Sequence, residues 1–242
     1  MFLTGYIHDM DEQSITIVAP FNYPYLLAKR EITEVEIKIC DGRKISPKQK
    51  NKIFAMIRDI TRFVNGCYSD SKRKILENET LRQMQLNYLI DVTDSEEIRY
   101  QLTQNYCNLI NTELFSLSNI DMTTARGFIS YLIELCLQFD IPCQDTLLNR
   151  CEDVEEYVYL CLKHKKCCIT GEKCELHHVD AVGSGRDRKT IVHEGMRVLP
   201  LNRIMHNKIH SMGNAEFCKL YHVEPIKLDK YLCEVYKLRS AS

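Results

Sequence analysis

The sequence predicts an α+β protein: an N-terminal mixed α/β domain with long amphipathic helices, followed by a smaller unit of strands and short helices. Three observations support this fold class. Short apolar runs divided by turn residues open the chain, apolar residues then recur at helical spacing, and a histidine-rich stretch combining strand and helix patterns ends it. The composition shifts near residue 150, which predicts one domain over 1–150 and a second over 151–242.

The first third of the chain contains three strand-like runs. Phe2 to Ile7 and Ile15 to Val18 are apolar-rich and are separated by the turn-like residues DMDEQS. Val35 to Ile39 alternates with charged neighbours and ends at Asp41-Gly42, a turn signal. We expect short strands at these positions.

Three helices are predicted from apolar periodicity. The first begins at Ser46-Pro47, an N-cap followed by proline at the first helical position, and runs to Gly66. The second spans about Thr123 to Phe139, and Ile141-Pro142 stops it. The third spans about Asp153 to His164.

Composition narrows the function classes. No run of the 242 residues reaches the ~18 apolar residues of a membrane span, and the N-terminus lacks the pattern of a signal peptide, so we expect a protein of the cytoplasm without a membrane partner. The net charge is −1, yet from Lys163 onward fifteen Lys/Arg oppose nine Asp/Glu, and seven of the eight His lie there. A neutral chain with a basic, His-rich end suits a DNA-contacting module joined to another part.

Four histidines form the most informative pattern. His177 and His178 are adjacent at the end of a Cys-containing stretch that reads as a hairpin. His206 and His210 are four residues apart in a short helix that starts near Pro200 to Asn202 and ends before Gly213. Histidines four apart share one helical face and can reach one metal ion. Adjacent residues of a strand point to opposite sides, so His177 and His178 should have different roles.

This arrangement suits phosphodiester hydrolysis, in which a divalent ion polarises the phosphate and a neutral histidine takes a proton from water. We therefore assign His177, His206 and His210 to the metal and His178 to the general base. Any one of these histidines taken alone would more commonly be structural or solvent-exposed. The joint pattern is what carries the interpretation.

The segment resembles the His-Asn-His nuclease superfamily, also called the ββα-metal fold, and is most similar to its phage branch. The matching elements are Leu176-His177-His178-Val179, Val182-Gly183-Ser-Gly185-Arg186-Asp187-Arg188, Pro200-Leu201-Asn-Arg203 and His206…His210…Gly213. The resemblance covers about the last 80 residues. It implies a ββα-metal domain that acts as a DNA endonuclease with one divalent ion, Mg²⁺ or Mn²⁺, while histidine ligands also accept Zn²⁺ or Ni²⁺.

The sequence departs from the superfamily pattern in two ways. The central Asn normally lies nine residues before the first helix His, and Arg197 holds that position, so a backbone carbonyl or another side chain is needed to orient His178. Many members also bind a structural zinc through two Cys pairs. Cys168 and Cys174 supply one half, whereas Asn202 and Met205 replace the other, which favours a packing role for the cysteines.

Basic residues around the histidines are candidate DNA contacts. Arg186, Arg188 and Lys189 follow a Gly-Ser-Gly loop, and Arg197 and Arg203 flank the strand and helix of the motif. Their functional interpretation is phosphate clamping. A solvated surface loop is an equally good interpretation of each one.

The N-terminal part resembles the Orf (NinB) family of phage recombination mediators. The resemblance rests on the helix start Ser46-Pro47-Lys48-Gln49-Lys-Asn51-Lys52 after a strand, and on the later Met122-Thr-Thr-Ala-Arg126-Gly-Phe128 helix. It implies a homodimer that binds single-stranded DNA and the host single-stranded DNA-binding protein. Lys48 and Lys52 are then candidate strand contacts, with solvated helix faces as the alternative.

Two functional hypotheses remain open. The first is a metal-dependent endonuclease acting on single-stranded or branched DNA in phage recombination or replication, inside a bacterial host. The second is a non-cleaving recombination mediator whose His-rich fold is a metal-stabilised DNA-binding module, as Arg197 in the Asn position would suit. A homing or restriction nuclease is disfavoured because no sequence-reading helix-turn-helix or zinc finger accompanies the motif.

Overall fold

The computed structural model describes residues 6–11, 14–18, 42–69, 94–180 and 191–240, and it confirms the α+β class. Two compact units are present, Met1–Ile39 and Cys40–Ser242. The predicted strand Val35 to Ile39 lies outside the described residues, as do Arg186, Arg188 and Lys189.

The first unit contains an antiparallel hairpin. Strand β1 (Tyr6–Met10) pairs with β2 (Ile15–Val18), and Ile7 lies opposite Ile17. The connection is closed by Asp11, whose side chain accepts hydrogen bonds from both the amide and the hydroxyl of Ser14 at 2.8 Å. The second strand is confirmed as predicted, and the first runs three residues beyond the predicted end because Asp9 and Met10 also pair with β2.

Helix α1 (Pro47–Ser69) opens the second unit and begins where the sequence predicted. The Ser46 hydroxyl accepts from the Gln49 amide at 3.1 Å, and the Gln49 side chain accepts from the Ser46 amide at 3.1 Å. This reciprocal capping box satisfies two of the amides that a helix start leaves unpaired. Gly66 does not end the helix, which continues to residue 69.

Two further helices pack with α1 around an aromatic cluster. Helix α2 spans Ser95–Leu109 and helix α3 spans Met122–Gln138. Rings of Tyr106, Phe128 and Tyr131 lie with centroids 5.2 to 6.1 Å apart. Such offset and tilted contacts are the favourable arrangements for aromatic pairs.

The short helix α4 (Leu147–Arg150) and helix α5 (Val154–Lys163) connect this bundle to the C-terminal elements. Arg150 is buried and pairs with the buried Asp59 of α1 at 2.7 Å. On the other side of α5, Glu156 accepts from the Ser130 hydroxyl of α3 at 2.8 Å. Polar links therefore join α4 and α5 to the bundle in addition to apolar packing.

The C-terminal elements form a small antiparallel sheet flanked by helices. Its strands are β3 (Glu175–His178), β4 (Arg197–Leu201) and β5 (Ile226–Lys227), with β4 in the centre. Helices α6 (Arg203–Met212) and α7 (Asn214–Tyr221) lie between β4 and β5 in the chain, and α8 (Lys230–Tyr236) follows.

The hairpin predicted within 167–180 is present in a short form, with an antiparallel bridge between Lys166 and Lys173 and a backbone hydrogen bond from Cys174 to Lys165. The His177-His178 strand that follows lies beyond this hairpin and pairs with β4. Pro200 belongs to β4, and the helix begins after Asn202, at the later end of the predicted start. The sequence indicated the local turn, but a pairing between strands separated by residues 179–196 leaves no local signature in the sequence.

Buried residues from α1 through α8 belong to one continuous hydrophobic core, which includes Ile53, Phe128, Val158, Leu199 and Leu232. The structure thus does not mark a boundary between cores at residue 150, and the division into domains 1–150 and 151–242 stays a prediction. Among the described helices, none has the length and apolar character needed to cross a membrane.

Candidate metal centre

Two neighbouring elements carry the histidine cluster. Strand β3 ends with His177 and His178, and the next helix after its partner strand, α6, carries His206 and His210. Asn202 caps α6 by accepting from the Met205 amide at 2.9 Å, and Gly213, with φ of 91°, ends it. These signals set where the helix begins and ends, and the rings of both its histidines lie next to the ring of His177.

Three of the histidines converge on one point. His177 lies 5.0 Å from both His206 and His210 by ring centroid, and the two helix rings are 4.9 Å apart. One potential ligand atom of each ring lies within 4.8 Å of the others, an arrangement suited to a metal ion. His206 and His210, four residues apart on the helix, therefore form a three-histidine cluster with His177 of the strand.

The distance between the helix histidines provides a test of fit. The Nε2 atoms of His206 and His210 are 3.3 Å apart. Two imidazole nitrogens bound at about 2.1 Å to one ion would subtend an angle of about 104° at that separation, close to tetrahedral geometry. The donor set of three imidazoles therefore fits a divalent transition metal.

Side chains in a second layer hold the three rings. The Glu175 carboxylate lies 3.0 Å from His206 Nδ1, so that nitrogen is the donor and Nε2 keeps its lone pair for a cation. The Asn214 amide oxygen lies 3.0 Å from His177 Nε2. Burial, reinforced by His206 and His210, lowers the pKa of His177 and favours the neutral form that ligates metals.

His178 faces away from the cluster toward a partner that the sequence analysis missed. Its Nε2 lies 3.0 Å from Nδ1 of His193, which precedes β4. Burial, together with His193 and His177, lowers the pKa of His178, so a neutral ring is favoured. Adjacent histidines with separate partners agree with the alternation expected of a strand.

Arg197 stands at the position where the superfamily pattern has an Asn, and its side chain forms an ion pair with Asp180. Its guanidinium and its backbone amide both donate to the Asp180 carboxylate, at 2.7 Å for the shortest side-chain contact. These hydrogen bonds lower the pKa of Asp180. The ion pair ties the start of β4 to the residues after β3, while His193 takes the place beside His178.

Comparison with protein families agrees with this geometry. The model of the family described as "Putative HNHc nuclease" matches residues 22–96 and 82–239. The chain belongs to this family. Membership confirms the nuclease part of the sequence-based assignment and makes nucleic acid the substrate class, while the resemblance of the front part to recombination mediators stays a prediction. No curated protein and no solved structure matches the chain.

The remaining predicted DNA contacts of this nuclease differ in their surroundings. Arg203 is exposed and pairs with Glu175 at 3.1 Å, beside the metal cluster. Lys48 is exposed at the start of α1. Lys52, however, is largely covered, and its ammonium group donates to Glu152 and to the Cys151 carbonyl oxygen. A lysine engaged in this way stabilises the contact between α1 and the α4–α5 connection.

The sequence analysis missed Glu175, Asn214, His193 and Asp180. Glu175 could have been found, because it lies two residues before His177 and so shares a strand face with it. Asp180 lies two residues after His178 and could have been found in the same way. His193 and Asn214 come from other parts of the chain, so no simple spacing reveals them.

The cysteines of the nuclease take packing positions. Cys167 and Cys168 are fully buried, and burial raises the pKa of Cys168. The turn that follows them is held by the Asn202 amide, which donates to Thr170 and Glu172. Among the described residues, the histidine cluster is the group that meets the geometry of a metal site.

Proposed function

We propose that this nuclease is a DNA endonuclease that requires one divalent metal ion, held by His177, His206 and His210. The single observation that carries the proposal is the convergence of these three imidazoles beside a fourth, His178, which has a separate partner. When bound there, a divalent ion that imidazoles accept, such as Mn²⁺, would polarise the scissile phosphate and stabilise the leaving oxygen.

His178 is the proposed general base. If its Nε2–H donates to His193 Nδ1, the lone pair on its own Nδ1 is left to take a proton from the attacking water. The lowered pKa keeps that nitrogen unprotonated near neutral pH. His193 thus performs the orienting task for which the superfamily pattern has an Asn.

Among the described residues, Arg203 is the proposed phosphate contact beside the metal centre. Its side chain is largely exposed, and its pairing with Glu175 holds it beside His206. The guanidinium of Arg203 is thus already oriented to bind a phosphate beside the metal centre. Arg186, Arg188 and Lys189 stay proposed clamps from the sequence pattern.

The cellular role follows from the sequence resemblances. We propose that the enzyme acts in recombination or replication of a bacteriophage, in the cytoplasm of the host. Residues 1–150 would deliver it to single-stranded or branched DNA as a homodimer that also binds the host single-stranded DNA-binding protein. The Orf-like segments around Lys48 and Arg126 support this role.

A cleavage assay tests the enzymatic proposal. Wild-type protein is incubated with duplex, single-stranded and branched DNA in EDTA, Mg²⁺ and Mn²⁺, beside His178→Ala and the control His222→Asn, which changes an exposed histidine at the end of α7. We expect metal-dependent cleavage by wild type and control, with a loss of at least about 100-fold in His178→Ala. Equal cleavage by His178→Ala would refute the assignment, and binding without cleavage under every metal would favour the non-cleaving mediator.

A further inference from the structure

A groove between α1 and α2 has the side chains of a nucleic-acid contact and lies outside the histidine cluster. It encloses about 450 Å³ and is lined by Asn51, Phe54, Ile57, Arg58, Ser95, Glu96 and Arg99. This volume is within the range of sites that hold small organic molecules. The front part of the chain thus contains a concave surface that the metal centre does not explain.

Two arginines give the groove its charge. Arg58 of α1 is exposed and Arg99 of α2 is half-buried, and neither forms an ion pair within the described part of the chain. Glu96 is the one acid among the described lining residues, and it lies in the first turn of α2, where a carboxylate interacts favourably with the helix. The two guanidinium groups therefore remain available to an anionic ligand.

Two other charged residues of α1 are bound to partners outside the groove. Asp59, the one acidic residue of this helix, is buried and bound to Arg150, and Lys52 is bound to Glu152. The exposed side of α1 consequently carries cations without acids. This moves the expected nucleic-acid contact from Lys52 to the neighbouring face, where Arg58 lies.

An aromatic ring completes the groove. Phe54 is 38 % exposed, although Ile53 before it and Ile57 one helical turn after it are buried. Proteins that hold single strands combine cationic groups for the backbone with aromatic rings on which unpaired bases stack. A duplex offers no base face to such a ring, because its bases are stacked on each other.

We propose that this groove binds a single-stranded polynucleotide, with a base on Phe54 and phosphates on Arg58 and Arg99. The inference rests on the proposed function, because it makes the groove the surface that places the nuclease on single-stranded regions. Asn51 supplies an amide at the same wall for sugar or base edges.

The test measures binding apart from cleavage. Fluorescence anisotropy in EDTA compares labelled dT20, rU20 and a 20-base-pair duplex on the full chain, across a series of salt concentrations. The variants are Phe54→Ala, Phe54→Trp and the double variant Arg58→Ala/Arg99→Ala. The matched control is Arg239→Ala, an exposed arginine that follows α8 and lies outside the groove.

We expect Phe54→Ala to weaken single-strand binding about tenfold and Phe54→Trp to retain it. The double arginine variant should reduce the slope of log affinity against log salt by about 1.4, as for two lost single-strand phosphate contacts. Arg239→Ala should change affinity less than about twofold. Preference between dT20 and rU20 identifies the natural polynucleotide, and either one supports the groove.

Unchanged single-strand affinity in both groove variants would overturn the proposal, as would an equal loss for the duplex. A parallel cleavage assay on wild-type protein separates the two claims. Cleavage with unaltered binding in the variants refutes the groove alone, whereas groove-dependent binding without cleavage under any metal refutes the endonuclease alone.

Discussion

Replacement of His193 tests whether it orients the proposed base. His193→Ala removes the one hydrogen bond on Nε2 of His178, which spans 3.0 Å. A neutral hydrogen bond contributes about 1 kcal/mol net, which corresponds to about a fivefold fall in kcat. The loss must stay below that of His178→Ala, since a general base as a whole contributes roughly 10² to 10⁴.

The assay is steady-state cleavage with kcat and KM determined separately, together with a metal titration. We expect kcat to fall while KM and metal Kd are unchanged. The amide oxygen of His193→Asn can occupy the place of Nδ1 and should recover most of the activity. Unaltered kcat in His193→Ala would refute the orienting role, and a weakened metal Kd would reassign His193 to a structural role in the metal centre.

Three further predictions concern the surroundings of the site and the fold. Glu175→Gln should weaken Mn²⁺ binding about tenfold in calorimetry because His206 loses its anionic acceptor, whereas Arg203→Gln, which leaves that acceptor, should change it less than about twofold. Hydrogen bonds from His164 and Lys163 lower the pKa of Glu134 to about 2, below its ordinary 4.5. The stabilisation that these hydrogen bonds give the folded state is therefore present above pH 4.5 and is lost as pH falls toward 2. Glu134→Gln should therefore cost about 1 kcal/mol at pH 7, allowing for solvent screening, and flatten the acid limb of urea unfolding profiles; an acid limb as steep as in wild type would contradict this. Asp59→Asn should cost about 3 to 5 kcal/mol in urea unfolding, since it leaves the Arg150 charge buried without its partner, and a cost below about 1 kcal/mol would show that the pair contributes little.

Elements with strong local signals were predictable from the sequence. The capping box at Ser46, the end of α3 before Pro142 and the cap of α6 at Asn202 are set by residues within four positions of each other. The spacing of His206 and His210 likewise predicted that both side chains lie on one face of the helix. Residues 71 to 115 are mostly polar helix formers with weaker periodicity, so the sequence did not give the bounds of α2, which the structure supplies.

Long-range contacts at the site were not predictable. His193 reaches His178 across the β3–β4 connection, and Asn214 reaches His177 from the start of α7. The side chain at the expected Asn position, Arg197, pairs with Asp180 instead. Each contact depends on how strands and turns pack in space, because residues 15 to 37 apart in the chain leave no periodic trace.

The direct test of the central claim is the stoichiometry of Mn²⁺ binding to the full chain, by calorimetry and by electron paramagnetic resonance. We expect one ion per chain in wild type and in the control His222→Asn, and a loss of at least about 100-fold in affinity when His206 or His210 is changed to Ala. Full occupancy in both alanine variants would contradict the three-histidine metal centre on which the proposed activity depends.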